Sequence, residues 1–431
     1  MSTHPIARRR FMSLFVAAPF LGSAWIADAA ASEEAVITKF GARANGPTIN
    51  TKAIQSAIDH LASRRGGTVV IPQGTFVSGA LFFKPKVNLR LLAGAVLQCS
   101  TDLANFPLQR TRIEGHFEEK FNPGLINVKN CDGFQLSGEG TLDGAGQPVW
   151  DLYWKMRNAS PEGRNFPNVG IPRARLAVIE SSRNVKVDGI TFKDSQFWNL
   201  HLYNCDGVTV SKARFQVPDD YRQAPSTDGI DIDSSRNVMV DGCYFSVTDD
   251  CIACKGSKGP HAMQDTDSPP VEHIRISNCV YKRGNGVLTL GSEATIVRDV
   301  VVENCRITGD VRIATIKLRP DTPQHYEDIT YRNITSEGPA PEIISMLPWS
   351  QFVNLQGEAP PQSVVRNVNF IGIKGNYTAF GTIRPNPGQT DISEILFKDL
   401  DVVLKRDKLA TSGVKDLKFE NVIVNGQPQI A

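Results

Sequence analysis

The chain has 431 residues, of which 47 are Lys or Arg and 45 are Asp or Glu. A chain of this length either divides into domains or extends along one axis as a repeat protein. Residues 1–31 hold three of the basic side chains and one of the acidic ones, so the remainder carries 44 of each. This balance gives no electrostatic basis for binding nucleic acid or an anionic membrane surface.

The first 31 residues have the pattern of an export signal. Arg8, Arg9 and Arg10 precede an apolar run at residues 11–26, and small residues follow at 27–31. This order is typical of a cleaved signal peptide. Residues 8–12 also match the twin-arginine motif, with an ordinary secretory signal as the alternative. We therefore expect export to the periplasm or the extracellular space, and no later segment is apolar over the length of a membrane span.

Residues 32–431 are predicted to form a single domain built from repeats. A polar turn with Asn or Asp, followed by alternating apolar residues, recurs from about residue 125 at intervals of about 22 to 39 residues. The instances begin at Arg183, Arg236, Glu272, Arg298, Glu327, Arg366 and Lys415. Alternation with period two indicates half-buried strands, and no amphipathic helix separates them. The pattern predicts an all-β protein, a parallel β-helix.

One amphipathic helix is predicted before the repeats, over residues 51–64. Its apolar face is formed by Ala53, Ile54, Ala57, Ile58 and Leu61, and Gly66 and Gly67 end it. We expect this helix to cap the N-terminal end of the β-helix, where unpaired strand edges would otherwise be exposed.

Eight cysteines in an exported chain permit disulfides. However, Cys131, Cys205, Cys279 and Cys305 each follow an Asn, and this repetition favours an internal stack of buried thiols. Both interpretations stay open on the sequence. Cys251 and Cys254 form a C-x-x-C pair without a second pair at zinc-site spacing.

The candidate catalytic residues are Asp228, Asp249 and Asp250. Asp228 precedes the other two by about one coil, and residues one coil apart stack on strands about 4.8 Å apart. Consecutive residues of a strand point to opposite faces, so the chain must bend at Asp249 and Asp250 if both serve one site. We assign Asp231 and Asp233 to the solvent face of a strand, because they alternate with isoleucines.

Three neighbouring carboxylates suit the hydrolysis of glycosidic bonds. That reaction needs one carboxylic acid to protonate the leaving oxygen and a carboxylate to activate water or attack carbon. Crowding like charges raises the pKa of at least one carboxyl group, which keeps an acid protonated. The alternative is that these aspartates only stabilise turns.

Four segments resemble the motifs of glycoside hydrolase family 28, the polygalacturonase family. Residues 226–228 read Ser-Thr-Asp for the family's Asn-Thr-Asp, and 249–250 read Asp-Asp. Residues 284–286 read Gly-Asn-Gly for Gly-His-Gly, and 315–317 read Thr-Ile-Lys for Arg-Ile-Lys. Residues 39–42, 66–72, 140–144 and 197–198 also resemble the family, and 290–293 are similar to its exo-acting branch. The resemblance implies a right-handed parallel β-helix, a pectin-lyase-like solenoid.

The resemblance also implies roles for individual residues. Asp249 is expected to be the general acid of an inverting reaction, with Asp228 and Asp250 holding the water. Carboxylates on adjacent coils approach within about 5 Å, a separation typical of retaining enzymes. We nevertheless expect inversion, because two carboxylates can hold a shared water from one side. Lys317 is expected to pair with the carboxylate of a uronic acid, unless it is simply a solvated lysine.

The chain departs from the family at two substrate-binding positions. Asn285 replaces the family's His, and Thr315 replaces its Arg, unless Arg312 or Arg319 reaches the same space. Further candidates for substrate contacts are Lys255, Arg319 and Trp198. Other aromatic candidates are Trp150, Trp154, Phe197, Tyr221 and Trp349, and residues 153–172 and 338–361 are expected to form loops that shape the cleft.

The resemblance therefore implies an inverting, pectin-degrading glycosidase that cleaves galacturonic-acid-containing poly- or oligosaccharides from the chain end. We expect a monomer with no metal ion and no cofactor. A polysaccharide lyase, a glycosidase of rhamnogalacturonan type and a non-catalytic carbohydrate-binding β-helix remain as alternatives. A lyase would need calcium and form an unsaturated product, whereas a hydrolase forms new reducing ends.

Overall fold

The computed structural model describes residues 33–221 and 223–429, with only the backbone at position 164. The predicted signal peptide at residues 1–31 lies outside this part of the chain. The described residues include two α-helices, α1 (Thr51–Ala62) and α2 (Gln147–Ala159), and five 3-10 helices of three or four residues, and β-strands dominate the rest.

The strands follow in chain order. They are β1 (Glu34–Val36), β2 (Gly67–Ile71), β3 (Gly74–Ser78), β4 (Leu81–Phe83), β5 (Val87–Leu91), β6 (Ala95–Cys99), β7 (Gln109–Ile113), β8 (His116–Phe121), β9 (Ile126–Lys129), β10 (Gln135–Gly138), β11 (Thr141–Asp143), β12 (Ala177–Glu180), β13 (Arg183–Asp188), β14 (Thr191–Lys193), β15 (Leu200–Tyr203) and β16 (Asp206–Ser211). The second half comprises β17 (Arg214–Gln216), β18 (Ile230–Asp233), β19 (Arg236–Asp241), β20 (Tyr244–Ser246), β21 (Ile252–Lys255), β22 (Val271–Ser277), β23 (Val280–Arg283), β24 (Leu288–Leu290), β25 (Ile296–Asp310), β26 (Ala314–Leu318), β27 (His325–Pro348), β28 (Ser363–Ile371), β29 (Lys374–Ile383), β30 (Thr390–Thr411), β31 (Val414–Val424) and β32 (Gln427–Pro428).

These strands form three parallel ladders, which the chain visits in turn in each coil. Ladder 1 runs through β1, β2, β5, β10, β13, β16, β19 and β22. Ladder 2 runs through β3, β6, β11, β14, β17, β20 and β23. Ladder 3 runs through β4, β9, β12, β15, β18, β21, β24 and β26. The long strands β25, β27, β29 and β30 continue from one ladder into another, so the predicted parallel β-helix is confirmed.

The recurring Asn or Asp of the sequence pattern has a backbone reason. Asn184, Asn237, Asp299, Asp328 and Asn367 all have φ between 52° and 58°. Asn and Asp tolerate this left-handed conformation better than other residues that carry a side chain. The residues that follow return to extended backbone and turn their apolar side chains inward. The repeat therefore marks the same local bend on five coils, and Gly207 and His273 take this conformation on the two coils between them.

Apolar side chains stack in columns inside the β-helix. Phe192, Phe215, Phe245 and Tyr281 lie on consecutive coils, with neighbouring ring centroids 4.7, 5.1 and 5.0 Å apart and planes within 15°. All four are fully buried. Each ring contacts the next along the axis, so the column contributes packing to several coils at once.

An alternating column of charge runs along the outside of ladder 1. In register order it contains Arg183, Asp206, Arg236, Glu272, Arg298, Glu327 and Arg366. Exposed ion pairs such as these contribute little stability individually. A slip by one coil would place like charges together, so the column favours the observed register.

Helix α1 lies where the sequence predicts a helix. Its buried residues are Ile54, Ala57, Ile58 and Leu61, and it packs against β1, β2, β4 and β5. The helix ends two residues earlier than predicted, at Ala62. Its role as a cap for the N-terminal end stays a prediction.

All eight cysteines are free and buried, which decides between the two interpretations of the sequence. They do not form one stack, however. Cys131 and Cys205 follow strands of ladder 3, whereas Cys279 follows β22 of ladder 1. The thiols of Cys243 and Cys305 are hydrogen-bonding neighbours of Cys279. The repeated Asn-Cys pair therefore marks two different corners of the coil.

The predicted loop over residues 153–172 is wrong in its first part, because Tyr153 lies inside α2. This helix belongs to an enlarged coil between β9 and β12. Trp150 anchors it: the side chain is fully buried and its Nε1 donates to the carbonyl oxygen of Ser195 at 2.9 Å. The missed signal was the segment Gly146-Gln147-Pro148, because proline is favoured in the first turn of a helix.

Among the described residues, no helix has both the length and the apolar character needed to cross a membrane.

Removing a ring from the aromatic column tests its contribution to the fold. We expect Phe245→Ala to lower the free energy of unfolding by about 3–5 kcal/mol, because a fully buried ring is lost and a cavity remains. Met239→Ala is the matched control, since Met239 is 46% exposed on a nearby strand and should change stability by less than about 0.5 kcal/mol. Guanidinium unfolding measures both. Equal stability of the two variants would contradict this account.

Candidate active site

The three predicted aspartates lie together at the corner where the chain enters ladder 3. Asp228 comes two residues before β18, and Asp250 comes two residues before β21. The amide of Gly229 donates to the carbonyl oxygen of Asp250 at 2.9 Å, so the two coils are in register at this corner. The predicted bend is present, because residues 248–250 lie outside the strands.

Gly229 makes the close approach of the two coils possible. A Cβ atom at this position would lie 2.4 Å from the carbonyl oxygen of Cys251 and 2.9 Å from the ring of Phe245. No side chain fits such contacts. The glycine after Asp228 is therefore required by packing.

The carboxylates of the three aspartates are crowded but differ in exposure. One oxygen from each lies within 4.8 Å of the others. Asp228 is 3% and Asp250 0% exposed, whereas Asp249 is partly exposed. The Asp249 Oδ1 accepts hydrogen bonds from Asn285 Nδ2 at 2.9 Å and from the Asp250 amide at 3.0 Å. Asp249 is thus the member of the trio that a ligand reaches most easily.

Asp250 is held in the ionised form. Thr289 Oγ1 donates to its Oδ1 at 2.8 Å, and Lys317 Nζ donates to its Oδ2 at 2.8 Å. Burial alone would raise its pKa, but the charges of Lys317 and Lys255 and these two hydrogen bonds hold the pKa below the ordinary value.

The pKa values of Asp228 and Asp249 are shifted in the opposite direction, upwards. Burial, followed by the charge of Asp249, raises the pKa of Asp228 well above the usual range. Burial, followed by the charge of Asp250, raises the pKa of Asp249. The site therefore combines one carboxylate that stays charged with two carboxyl groups that retain protons more readily, which is the division that acid–base catalysis requires.

Lys317 and Lys255 supply the positive charge of the site. Lys255 Nζ lies 3.8 Å from Asp228 and 3.7 Å from Glu293, and also 5.3 Å from the ring centroid of Trp198. Lys317 Nζ lies 5.0 Å from the ring centroid of Trp349. Three carboxylates this close have the donor type that a divalent cation prefers. Here the ammonium group of Lys317 already bonds to one of them.

The assignment of Asp231 and Asp233 to a solvent face is wrong, since both are fully buried. Arg112, His201 and Lys255 cover the outer face of β18, which carries these two aspartates. Asp233 accepts from His201 at 3.2 Å and pairs with Arg112 at 3.4 Å. Asp231 has no hydrogen-bond donor for either carboxylate oxygen among the described residues, and Lys255 Nζ lies 3.9 Å away. Burial raises its pKa well above the usual range.

The structure places the side chain of Arg319 behind the site. Its side chain is fully buried and forms two 2.8 Å hydrogen bonds to the carboxylate of Asp321. It also donates to the carbonyl oxygen of Phe352 at 2.7 Å. Arg319 thus ties a wall of the site to the β-helix, and a direct substrate contact stays only a sequence prediction. Arg312 pairs with Glu342 at 3.4 Å.

Asn285 and Thr315 occupy the positions where the sequence departs from the family motifs. Asn285 contacts Asp249, as described above, and its side chain is otherwise exposed. Thr315 lies opposite Thr289 on the next strand, and its hydroxyl donates to the carbonyl oxygen of Asn285 at 3.2 Å. Neither position places a cation beside the aspartates.

A cavity of about 320 Å³ opens above the aspartates. Its two side walls come from α2 with the loop after it, and from the loop after β27. The lining residues are Glu114, Tyr153, Trp154, Arg157, Phe166, Asn168, Trp198, Gln223, Ala224, Pro225, Ser226, Asp228, Thr248, Asp249, Asp250, Lys255, Ser292, Glu293, Lys317, Trp349, Gln351 and Phe352. The walls meet where the amide of Phe352 lies 3.5 Å from Asn165 Oδ1. Both segments predicted to shape the cleft therefore contribute to it, although the prediction of a loop from residue 338 is wrong in its first part, because residues 338–348 belong to β27.

The aromatic candidates fall into two groups. Trp154, Trp198 and Trp349 line the cavity, although Trp198 is only 3% exposed. Trp150 and Phe197 are fully buried and belong to the packing beneath the site. The ring of Tyr221 lies 4.9 Å from that of Trp150, and its hydroxyl donates to Asp151 outside the cavity.

The sequence predictions missed Glu114, Arg157 and Glu293 as lining residues. Glu114 lies in the turn between β7 and β8. These two strands form a hairpin that the repeat pattern of the sequence does not predict. Arg157 follows Tyr153 and Trp154 in the helix that was predicted as a loop. Glu293 lies in the 290–293 segment that resembles the exo-acting branch, and that resemblance was the available signal.

Fold and site together define a parallel β-helix with three crowded carboxylates at the base of a cavity. The sequence profile of glycosyl hydrolases family 28 matches residues 97–415. An exopolygalacturonase of Zea mays is 26% identical over 352 residues, covering 79% of this chain and 76% of its own length. A polygalacturonase of Gossypium barbadense is 25% identical, covering 89% and 87%. The exopolygalacturonase structure from Thermotoga maritima covers 92% of both chains, with 21% identity and a TM-score of 0.73.

The chain therefore belongs to glycosyl hydrolases family 28 and is a glycoside hydrolase. This membership favours the hydrolase over the lyase and over the non-catalytic binding module that the sequence left open.

The hydrogen bond from Thr289 to Asp250 gives a prediction about pH dependence. Removing it in Thr289→Val should raise the pKa of Asp250, because the ionised form loses a donor. If Asp250 must be ionised for activity, the acidic limb of the kcat/KM profile should move to higher pH. Thr315→Val is the matched control, since its hydroxyl bonds to a backbone carbonyl instead. An unshifted acidic limb in Thr289→Val would contradict the assignment.

Proposed function

We propose that this enzyme hydrolyses galacturonic-acid-containing pectic poly- or oligosaccharides from the chain end, with inversion of configuration. The observation that carries the proposal is the geometry of Asp228, Asp249 and Asp250, in which one carboxylate oxygen from each lies within 4.8 Å of the others at the base of a small cavity. Similarity to an exopolygalacturonase of Zea mays and to an exo-poly-alpha-D-galacturonosidase of Dickeya chrysanthemi supports the substrate class.

Asp249 is the general acid in this proposal. Its raised pKa keeps a proton available, and its partial exposure allows contact with the oxygen of the glycosidic bond. The bond between the anomeric carbon and that oxygen breaks as the oxygen takes the proton of Asp249. Asn285 orients the carboxyl group through its 2.9 Å hydrogen bond, a task that the neutral amide performs at any pH.

Asp228 and Asp250 hold the attacking water. Their backbones are adjacent through the hydrogen bond from Gly229 to Asp250, so their carboxyl groups face a common space. The ionised Asp250 accepts a proton of the water while the water oxygen bonds to the anomeric carbon. Asp228, whose raised pKa favours its protonated form, hydrogen-bonds to the water and takes no proton in this step. One negative charge on the pair is sufficient for the step.

The walls of the cavity support an exo mode of action. The contact between Phe352 and Asn165 joins the two side walls across the cleft. A volume of about 320 Å³ lies at the lower end of the range for ligand pockets, roughly 300–1,000 Å³. Such a pocket suits the end of a sugar chain better than its middle. Asp321 reinforces the wall by accepting from the amide of Asn354 at 2.7 Å.

Lys317 is proposed to contact the carboxylate of the uronic acid at the cleavage site. Its ammonium group faces the cavity, bonds to Asp250 and lies over the ring of Trp349. Trp198 and Trp349 are proposed to face the sugar rings, because aromatic side chains combine an apolar face with a polar edge. Lys255 acts on the substrate through Asp228 and Glu293, which it holds in place.

We also propose that the enzyme is exported and that it acts as a monomer. Three arginines before the apolar run at residues 11–26 support export. The remaining chain carries equal numbers of basic and acidic residues. Its acidic substrate is therefore bound by individual side chains of the cavity and not by the net charge of the protein.

Replacing the proposed acid tests the function. We expect Asp249→Asn to lower kcat on oligogalacturonates by roughly 100- to 10,000-fold, because an amide cannot donate the proton. The exposed Asp188 on β13 provides the control, and Asp188→Asn should retain full activity. Reducing-end assays give the rate, and chromatography of early products should show only the monosaccharide and a shortened chain. Equal rates for the two variants would exclude the proposed acid, and mixed oligosaccharides would exclude the exo mode.

A further inference from the structure

Three basic side chains line the cavity, and they differ in whether a carboxylate already neutralises them. Lys317 pairs with Asp250 at 2.8 Å, and Lys255 lies within 3.9 Å of three carboxylates. Arg157 forms no ion pair with any residue that the structure describes. Its guanidinium therefore presents an unbalanced positive charge to the space that the substrate is proposed to occupy.

The guanidinium of Arg157 is oriented by aromatic neighbours. Its carbon lies 5.1 Å from the ring centroid of Trp154 and 6.0 Å from that of Tyr153. A single hydrogen bond joins its NH1 to the hydroxyl of Tyr153 at 3.4 Å. The other N–H donors have no partner among the described residues, so a planar pair of donors stays free for a ligand.

The residues around Arg157 fix its position. Tyr153 is 1% exposed and donates to Asn168 Oδ1 at 2.9 Å. Arg173 lies 4.7 Å from the ring centroid of Tyr153, and the indole of Trp154 donates to the carbonyl oxygen of Gln223. The aromatic residues next to Arg157 are thus held in place before a ligand binds, which reduces the conformational entropy that Arg157 loses on binding.

Among the side chains that the structure describes, no other guanidinium is placed to bind an acidic sugar in this cavity. Arg319 is occupied by Asp321, Arg312 pairs with Glu342, and position 315 carries a threonine. Arg173 is fully buried beneath Tyr153 and donates to backbone carbonyl oxygens. Among the described residues that line the cavity, Arg157 is the one that offers the planar donor pair that matches a carboxylate.

We propose that Arg157 binds the carboxylate of the terminal uronic acid and thereby makes the pocket selective for an acidic sugar. This inference rests on the proposed exo-acting function and adds a specificity-determining residue on α2. A neutral hexose of the same ring type would leave the guanidinium without its anion and would bind more weakly. Glu114, held by Asn168 Nδ2 at 2.9 Å, faces the same cavity as an acceptor for sugar hydroxyls.

Calorimetric titration with D-galacturonate and with D-galactose tests the proposal without depending on turnover. The wild-type enzyme should bind galacturonate more tightly than galactose. Arg157→Gln should weaken galacturonate binding by roughly 10- to 100-fold, the range expected for a charged hydrogen-bonded pair, and should leave galactose binding unchanged. Arg157→Lys keeps the charge without the planar fork and should fall between the two.

Lys155→Gln is the matched control, because it removes one positive charge from the exposed face of the same helix. It should leave the affinity for both sugars unchanged. A preference for galacturonate in Arg157→Gln as large as that of the wild-type enzyme would overturn the proposal, because Lys317 alone would then account for it. An equal loss of both sugars would also overturn it, since that result identifies a structural role. Failure of the wild-type enzyme to release galacturonate from oligogalacturonates would instead contradict the proposed function.

Discussion

The hydrogen bond between the Gly229 amide and the Asp250 carbonyl joins two consecutive coils at the corner where the three aspartates lie. Parallel strands lie about 4.8 Å apart, so this register brings Asp228 next to Asp250. Gly229 allows the approach because any side chain would meet the carbonyl oxygen of Cys251. The distances among the three carboxylates follow from this one constraint.

Carboxylates brought so close repel one another, and residues of later coils compensate. Thr289 and Lys317 stand one and two coils further along ladder 3, and both bond to Asp250. Lys255 lies among Asp228, Asp231 and Glu293 without a hydrogen bond to any of them in the described structure. The result is an uneven distribution of protons, with the charge concentrated on Asp250. Catalysis as proposed depends on that unevenness.

A second layer of buried charge supports the first. Arg112, Asp233 and His201 form a network below Trp198. Burial lowers the pKa of His201 to about 4, so the imidazole is neutral at ordinary pH and serves as a hydrogen-bonding bridge. On the other side, Arg319 and Asp321 hold the loop that carries Phe352. The walls of the cavity are thus tied to the rigid β-helix by buried polar contacts.

The sequence predicted the features that repeat. Period-two alternation and the recurring Asn or Asp locate the coils, and the spacing of Asp228 and Asp250 follows from the length of one coil. The features that it missed belong to single coils. Helix α2 interrupts the pattern once, and the burial of Asp231 and Asp233 depends on covering segments far along the chain. An alternating strand looks the same in sequence whether its polar face meets water or another part of the protein.

The central claim is that Asp249 protonates the leaving oxygen while Asp228 and Asp250 hold a water between them. Nuclear magnetic resonance of the first product formed from an oligogalacturonate tests this most directly, because it reports the configuration at the anomeric carbon before mutarotation. We expect a configuration opposite to that of the cleaved bond. Retention would contradict it, since the separation of the carboxylates, within 4.8 Å, would then reflect direct attack by an aspartate on the sugar.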